Sequence, residues 1–314
     1  MIRFVIRRIL FLFPVIIGAT LLVYFILDLA PGDAVFALGG DQMSEEELIA
    51  LRHELGLDRP FIIRYLSYMQ GLFTGDLGVS LISGRSVLET YFQRLPMTLR
   101  LAFSATMVSV LLSLPLGIYS AVRKGSIQDN IAMLFSMLGL SMPNFWFGLI
   151  LIIVFSLHLG WFPSSGYTGP ISLVLPAFAV GTGLTANLTR MTRSSMLDVL
   201  GQDYLRTVRA KGVSERAVVN RHALKNALIP IITIIGTQLS IALGGSILTE
   251  SVFAIPGVGR LMMDSINQRD APMILGCVVL TTILTSIILL VVDLLYAMVD
   301  PRIKSQYVRR GKTS

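Results

Sequence analysis

The chain has 314 residues, of which 54% are hydrophobic and only 14% are charged. A mean hydropathy of +0.72 excludes an ordinary soluble domain and indicates an integral membrane protein. The net charge of +7 would suit a nucleic-acid-binding protein, but the basic residues cluster at the ends of apolar runs, which argues against nucleic acid as a partner.

Apolar runs long enough to cross a hydrocarbon core of ~30 Å as helices recur along the chain. These runs are continuous, whereas the strands of a membrane barrel would alternate with a period of two. We therefore predict an all-α polytopic membrane protein with six transmembrane helices. The predicted spans cover residues 9–29, 99–122, 131–157, 171–191, 228–249 and 274–299.

The first span follows Arg3, Arg7 and Arg8, an arrangement that also begins signal peptides. The apolar run is too long for the hydrophobic core of an ordinary signal peptide, so residues 1–30 are predicted to hold an uncleaved transmembrane helix. Most of the 26 basic residues fall on the side that carries both termini. The positive-inside rule then places the N and C termini in the cytoplasm.

Residues 31–97 are predicted to form a small extracytoplasmic insertion. Ser44 is a good N-cap for a helix over residues 45–55, which Gly56 would end. Glycines 71, 75, 78 and 84 then mark a looser second half. Two interpretations stay open for this insertion, a spacer loop between two spans and a contact surface for a soluble partner.

No complete motif for nucleotide or metal binding is present in the sequence. Residues 78–86 have one residue too many for a phosphate-binding loop, and His53-Glu54 lacks the second histidine of a zinc-protease helix because position 57 is Leu57. Cys277 is the single cysteine, so no intrachain disulfide can form. We therefore predict no catalytic residue, no metal site and no cofactor bound by this chain.

Ionisable residues within the predicted spans are few, which bears on an alternative class of function, the ion-coupled secondary carrier or channel. Such carriers usually need buried acids to bind the coupling ion. Asp293 is the clearest intramembrane acid, and helix packing explains it better than proton coupling. Asp129 is predicted near the cap of the third span.

Pro143 lies in the third span, where it removes a backbone hydrogen bond and should bend the helix. Asn144 and Trp146 beside this bend, and Gln238 and Ser240 in the fifth span, are candidates for lining a translocation pathway. Helix packing is the alternative in each case, since Asn144 would equally cap the broken turn or bond a neighbouring helix.

A basic segment, residues 192–227, lies between the fourth and fifth predicted spans. Gly212 can take the left-handed conformation that ends a helix, and Ser214 is a good N-cap for a new one. Two short helices are therefore predicted to meet at a sharp corner that projects from the membrane. The five-helix core then covers residues 98–299, and residues 300–314 form a basic cytoplasmic tail.

This corner resembles the EAA loop of the membrane subunits of ATP-binding-cassette (ABC) importers. In that pattern Glu-Ala-Ala is followed by three residues and Gly, and later by Leu-Pro. Here Arg206-Thr-Val208 stands in place of Glu-Ala-Ala, Gly212 is kept, and Leu224-Lys225 occupies the Leu-Pro position. These departures are similar to those of the peptide-type branch, and they argue against a Glu-based contact with the ATPase.

Other stretches extend the resemblance over nearly the whole chain. Together they are similar to the first of two permease subunits in dipeptide and oligopeptide importers, a branch that includes nickel and glutathione importers. The stretches are Pro31-Gly32-Asp33, Leu55-Gly-Leu-Asp-Arg-Pro60, Gly75-Asp-Leu-Gly78, Leu95-Pro-Met-Thr-Leu99, Gly244-Gly-Ser246 with Glu250, Pro256-Gly-Val-Gly-Arg260, Arg269-Asp270, Asp293-Leu-Leu-Tyr296 and Asp300-Pro-Arg302.

The resemblance implies the type I ABC importer transmembrane-domain fold in the cytoplasmic membrane of a bacterium or archaeon. It further implies a second homologous permease subunit, two ATPase subunits that bind ATP and magnesium, an extracytoplasmic substrate-binding protein, and surrounding lipid. Peptide is the first choice of substrate, with nickel, a metal chelate or glutathione as alternatives.

By the same resemblance, the corner would dock on an ATPase subunit and couple ATP hydrolysis there to alternating access of the spans. The simpler alternative is a basic loop that only fixes the topology of the chain. The residues expected to carry the coupling are Tyr204, Leu205, Arg206, Val208, Arg209, Ala210, Lys211, Gly212 and Glu215.

Overall fold

The structure, a computed structural model, describes residues 2–29, 43–54 and 56–299. Within these residues the chain is helical apart from turns and one isolated β-bridge between Val79 and Ser86. The helices are α1 (Ile2–Leu29), α2 (Glu45–Glu54), α3 (Phe61–Thr74), α4 (Val87–Val122), α5 (Ile127–Ser141), α6 (Asn144–His158, π-helical from Ile152), α7 (Val174–Leu200, after a 3-10 turn Pro170–Leu173), α8 (Asp203–Ala210), α9 (Glu215–Gly245, π-helical over Val218–Ala223), α10 (Ile247–Val252), α11 (Val258–Asn267) and α12 (Ala271–Val299).

Five helices in the described part of the chain, α1, α4, α7, α9 and α12, are long and apolar enough to cross a membrane. The pair α5–α6 is bent by 95° and makes a sixth span if both helices belong to one crossing. The prediction of an all-α polytopic membrane protein is confirmed.

The third predicted span is a broken helix rather than a continuous one. α5 ends at Ser141, and Met142 takes an extended conformation, with φ −102° and ψ 131°. The ring of Pro143 disfavours a helical conformation in the residue before it, so Met142 leaves the helix. Asn144 then begins α6 in a new direction. The predicted bend at Pro143 is therefore confirmed, but it is a full break of the helix.

Several helices are longer than the apolar runs that predicted them. α4 begins at Val87 rather than at residue 99, and α9 begins at Glu215 rather than at residue 228. α9 ends at Gly245, and Ser246 separates it from the short helix α10. Hydropathy marks the part of a helix that lipid can cover, whereas the hydrogen-bonded backbone continues into more polar residues.

Residues 1–98 and 255–286 form one compact unit. In it, the buried Asp270 carboxylate accepts hydrogen bonds from the Ser80 hydroxyl and, at 3.2 Å, from the Leu81 N–H. The Thr98 hydroxyl accepts a 2.8 Å hydrogen bond from the Val258 N–H. The buried apolar residues of this unit include Leu77, Val87, Tyr91, Val258, Met273 and Cys277.

The predicted start of α2 is confirmed in the same unit. The Ser44 hydroxyl accepts a hydrogen bond from the Glu47 N–H, and Glu47 Oε2 accepts one from the Ser44 N–H at 2.8 Å. These bonds form a capping box. The Ser44 N–H, together with the Ser44 hydroxyl that also donates to Glu47 Oε2 at 2.9 Å, lowers the pKa of the Glu47 carboxyl. Gly56 follows with φ +64°. Pro31-Gly32-Asp33, Leu55, Asp300-Pro-Arg302 and the basic tail lie outside the described residues.

The second unit contains residues 99–254 and continues from residue 287. Its central helix is α7, which packs against α5, α6 and α9. Glycines allow the helices of this unit to approach closely. A Cβ at Gly117 of α4 would lie 2.6 Å from the Cβ of Thr192, and a Cβ at Gly139 of α5 would lie 2.6 Å from the carbonyl oxygen of Thr182, which is too close for a side chain in either case. Small residues are common where transmembrane helices pack in this way.

Candidate coupling site

The buried side chain of Leu205 anchors the helix α8 against the interior of the second unit. Leu205 has no exposed surface, and it belongs to an apolar cluster with Met196 of α7 and with Val218 and Val219 of α9. Val208, one turn further along, packs against the edge of the same cluster. Leu205 is therefore an internal anchor, which corrects its expected role as part of an exposed docking surface.

The outward side of α8 carries polar and basic groups. The Arg206 side chain is 80% exposed, and Ala210, Lys211 and Gly212 are also exposed. Tyr204 is 37% exposed. This side of the corner, from Tyr204 to Gly212 without Leu205 and Val208, is called the elbow surface below.

The corner after α8 depends on Gly212, as predicted. Gly212 has φ +80°, which is the left-handed region. Its N–H donates to the carbonyl of Arg209 at 2.9 Å, and the Lys211 N–H donates to the carbonyl of Thr207 at 3.2 Å. A residue with a Cβ is strained in this conformation, whereas glycine is not.

The second arm of the corner is not a short helix, and the expectation of two short helices is wrong on this point. Ser214 occupies the N-cap position, but its side chain makes no capping hydrogen bond. Its carbonyl accepts from the N–H groups of Ala217 and Val218 at 2.9 and 3.0 Å. Helical structure then continues to Gly245, so the corner is the first turn of the membrane span α9.

Two polar contacts brace the angle between α8 and α9. The Arg209 guanidinium binds the Glu215 carboxylate through two hydrogen bonds of 2.8 and 3.0 Å. The Tyr204 hydroxyl donates to the carbonyl of His222 at 3.2 Å and accepts from the Asn226 amide at 2.7 Å. Arg209 and Glu215 pair with each other while their side chains stay 36% and 58% exposed, so their expected role in coupling to an ATPase stays a prediction.

The Leu205 anchor gives a direct prediction. The change Leu205→Ala is expected to destabilise the protein by about 3 kcal/mol, because it removes buried methyl groups and leaves a cavity. The neighbouring exposed change Arg206→Ala is the matched control, with an expected effect within about 0.5 kcal/mol. Thermal unfolding of the purified protein in detergent measures both. Equal melting temperatures for the two variants would contradict the anchoring role.

A second polar constellation joins three helices of the same unit. Asp129, whose side chain is 3% exposed, accepts hydrogen bonds from Arg193 Nε at 2.8 Å and from Arg193 Nη2 at 2.7 Å. The Ser120 hydroxyl and the Gly125 N–H also donate to this carboxylate. α4, α5 and α7 are thereby connected at one buried ion pair, here called the Asp129 lock.

The candidate pathway residues fall into two groups. Gln238 is buried, and its side-chain amide donates to the carbonyl of Leu184 in α7 at 2.9 Å. Asn144 packs against the adjacent residue of α7, Gly183. The structure thus brings Asn144 and Gln238 to the same turn of α7, where both make packing contacts between helices.

Pro143, Trp146 and Ser240 are placed differently. Pro143 precedes the first residue of α6, and Trp146 is 47% exposed. Ser240 is buried, and its hydroxyl has no hydrogen-bond partner among the described residues. A role of these residues in a translocation pathway stays a prediction.

Sequence reasoning missed both the Asp129 lock and the contact of Tyr204 with Asn226. Arg193 follows the fourth predicted span and Asp129 precedes the third, so no local pattern in the sequence pairs them. The Ser126 hydroxyl accepts a hydrogen bond from the Asp129 N–H at 3.2 Å, and this N-cap signal marks the start of α5 but not the burial of the acid. No group of three or more potential metal-ligating side chains occurs within residues 2–29, 43–54 and 56–299.

A bundle of membrane-spanning helices with a basic corner that continues directly into one span defines a polytopic membrane protein. Comparison with known proteins agrees. Residues 113–305 match the family described as "Binding-protein-dependent transport system inner membrane component", and residues 1–102 match the N-terminal part described for such membrane components. The chain belongs to this family and is a multi-pass protein of the bacterial cytoplasmic membrane.

Similar proteins extend along the full chain. The oligopeptide transport system permease AppB of Bacillus subtilis is 41% identical over 97% of this chain and 100% of its own length. The dipeptide transport system permease DppB of Escherichia coli K12 is 38% identical over 97% and 99%. The glutathione transport system permease GsiC of Salmonella choleraesuis is 38% identical over the same shares.

The fold is also that of a solved transporter. A chain of the MetNI methionine ABC transporter, in an inward-facing conformation, has a TM-score of 0.58 and 20% identity, and the match covers 67% of this chain and 96% of that chain. The type I ABC importer transmembrane fold is therefore confirmed. Since the named relatives are permease subunits, the interpretations as an ion-coupled carrier or channel are not favoured.

Proposed function

We propose that this chain is a permease subunit of an ATP-driven importer of dipeptides and oligopeptides, and that it forms half of the translocation pathway. The observation that carries the substrate class is the similarity to oligopeptide and dipeptide permeases along 97% of the chain. Glutathione is itself a tripeptide, so the glutathione permeases fit the same class. Nickel or a metal chelate has less support, because the similar proteins described above transport peptides.

The proposed assembly contains four further subunits. A second homologous permease completes the pathway, two ATPase subunits bind ATP and magnesium, and a substrate-binding protein delivers the peptide on the outer side. Membrane lipid surrounds the spans. This chain supplies no nucleotide chemistry in the proposal, and it transmits the closing and opening of the ATPase pair to its membrane helices.

The elbow surface is proposed to dock on an ATPase subunit. The exposed cations Arg206 and Lys211 suit acidic groups on such a partner, since charge complementarity orients an interface. A displacement of α8 would pass to α7 and α9, because Leu205 packs between those helices. The brace between Arg209 and Glu215 keeps the angle of the corner fixed while it moves.

Alternating access then follows from two arrangements of the helix bundle that the ATPase pair biases in turn. Rigid helices transmit such a bias well, and α9 joins the corner to the membrane without an intervening loop. Gln238 and Asn144 are proposed to contribute to the pathway only in a state in which α6 and α9 separate from α7.

The proposal is tested by purifying the tagged chain in mild detergent and reconstituting the recovered complex in liposomes. We expect recovery of a second permease and of ATPases, with ATP-dependent uptake of a labelled dipeptide once the binding protein is added. Uptake of a nickel chelate but not of peptide would overturn the substrate class. Transport by this chain alone without ATP would overturn the importer itself.

A further inference from the structure

Helix α3 presents a stripe of large apolar side chains that no described residue covers. Ile62, Leu66 and Phe73 are 67%, 59% and 65% exposed. At about 100° per residue, these three side chains project within about 40° of one another around the helix axis. They are called the apolar stripe below. A stripe of this kind on a water-exposed loop would be unfavourable, so it indicates a partner.

A second stripe of α3 is polar. Ser67, Gln70 and Thr74 are exposed as well. By the same helical geometry they project about 90° away from the apolar stripe. In the first turn the side of the polar residues also carries Ile63, which is 49% exposed. From Leu66 to Thr74 the exposed surface of α3 is divided lengthwise into an apolar side and a polar side, and the only charged residue of the helix, Arg64, lies in its first turn.

The opposite side of α3 packs on the membrane helix α1. The Tyr24 ring lies 5.6 Å from that of Phe61 and 5.7 Å from that of Tyr65, with both pairs edge to face. The Tyr65 hydroxyl lies 3.0 Å from the Thr20 hydroxyl, whose oxygen lies 3.7 Å from the sulfur of Met69. These contacts fix α3 to the second half of the first span.

The position of those contacts along α1 gives their depth. They extend from Ile17, whose carbonyl accepts from the Tyr65 hydroxyl at 3.2 Å, to Asp28, which pairs with Arg64. That stretch of helix is about 16 Å long. Since the span α1 is apolar from Ile9 to Leu29, the contacts begin within the apolar part of the span and end at its polar boundary.

The chemistry of the contact is that of a membrane–water boundary. Tyr24, Tyr65 and Tyr68 gather beside the ion pair of Arg64 and Asp28. Tyrosine is enriched at this level of membrane proteins because its ring is apolar and its hydroxyl is polar. The bonds of Tyr65 to Thr20 and Ile17 satisfy two of these hydroxyls within the protein, as a low-polarity environment requires, whereas the buried Tyr68 hydroxyl has no hydrogen-bond partner among the described residues.

We propose that α3 is an interfacial helix whose apolar stripe lies among lipid acyl chains and whose polar stripe faces headgroups and water. A lengthwise division into apolar and polar halves fits the polarity gradient at a bilayer surface. On the neighbouring helix α1, Leu22 is 58% exposed and Ile26 is 55% exposed. The surface around the contact of α1 and α3 is therefore also apolar. Part of the insertion 31–97 is then bound to the membrane, independently of which substrate is transported.

The test uses single cysteines in the assembled complex, with Cys277→Ala removing the buried native thiol. A bimane label is placed at Leu66→Cys or at the matched position one turn on, Gln70→Cys, and the complex is put in nanodiscs. We expect lipid carrying a doxyl group near the headgroup end of its acyl chain to quench the label at position 66 more strongly than at position 70. Iodide in the buffer should quench in the reverse order.

Two outcomes would overturn the proposal. Strong iodide quenching at position 66 would mean that α3 lies in water, and protection of position 66 from both quenchers would mean that a protein partner covers the apolar stripe. The pair Phe73→Cys and Thr74→Cys repeats the test if either first variant fails to assemble. Peptide uptake by each complex is measured separately, so failure of the proposed transport function is distinguishable.

Discussion

The change Arg193→Ala is expected to destabilise the inserted protein by about 3 kcal/mol. Removing one partner of a buried ion pair costs about 3 to 5 kcal/mol, and the lower value applies here because the Arg193 side chain is 27% exposed. Among the described residues it leaves the buried Asp129 carboxylate with Ser120 and Gly125 as donors. Thermal unfolding in detergent and the amount of protein in the membrane measure the effect.

The matched control for this variant is Arg190→Ala. Arg190 lies one turn away on the same helix, is exposed, and makes one side-chain hydrogen bond, to Asn187 at 3.3 Å. Both variants remove one positive charge from the same flank of α7. An effect on topology through the positive-inside rule would therefore be shared, whereas loss of the Asp129 lock would not.

A second substitution separates charge from packing. In the Arg193→Ala background, Asp129→Asn removes the uncompensated negative charge and is expected to restore part of the lost stability. If the double variant is as unstable as Arg193→Ala alone, the cost comes from lost packing of the arginine stem, and the electrostatic explanation is wrong.

The elbow illustrates what local sequence can and cannot predict. The left-handed conformation of Gly212 follows from backbone sterics, and the prediction is confirmed at φ +80°. The burial of Leu205 could not be predicted in the same way, because it depends on where Val218 and Met196 lie in space. An apolar residue on a short amphipathic helix has the same local pattern whether it meets its own protein or a partner.

The third span shows the same limit at a larger scale. Hydropathy located an apolar run and Pro143 located a break in it, and both are confirmed. The 95° angle between α5 and α6 depends instead on packing in the folded chain, where Gly139 permits close approach to Thr182 of α7 and Gly148 leaves room for the ring of Phe253. Similarly, Asp129 and Arg193 are 64 residues apart, so only the folded chain brings them together.

Substitutions at Gly212 are expected to separate the conformation of the corner from the space around it. Gly212→Pro should abolish ATP-coupled peptide uptake, because proline fixes φ near about −65° and removes the N–H that bonds Arg209. Gly212→Asn should retain most of the uptake, since asparagine tolerates the left-handed region. Uptake and ATPase activity of the reconstituted complex are the measurements.

Gly212→Ala lies between these two variants. A Cβ at this position has no heavy atom within 4 Å, so alanine introduces only the conformational strain of about 1 to 2 kcal/mol. If the corner is a rigid connection, ATP-coupled peptide uptake should be highest for Gly212→Asn, lower for Gly212→Ala and lowest for Gly212→Pro. All three variants should reach the membrane in similar amounts because the spans are unchanged.

The opposite result has an equally clear physical meaning. If Gly212→Pro transports normally, the shape of the corner is unimportant and the basic segment only fixes the topology of the chain. In that case Arg206→Ala combined with Lys211→Ala should alter insertion rather than the coupling of ATP hydrolysis to uptake. If the corner is a connection, the same double variant should leave insertion intact and weaken the response of ATPase activity to peptide, because only docking would lose its exposed cations.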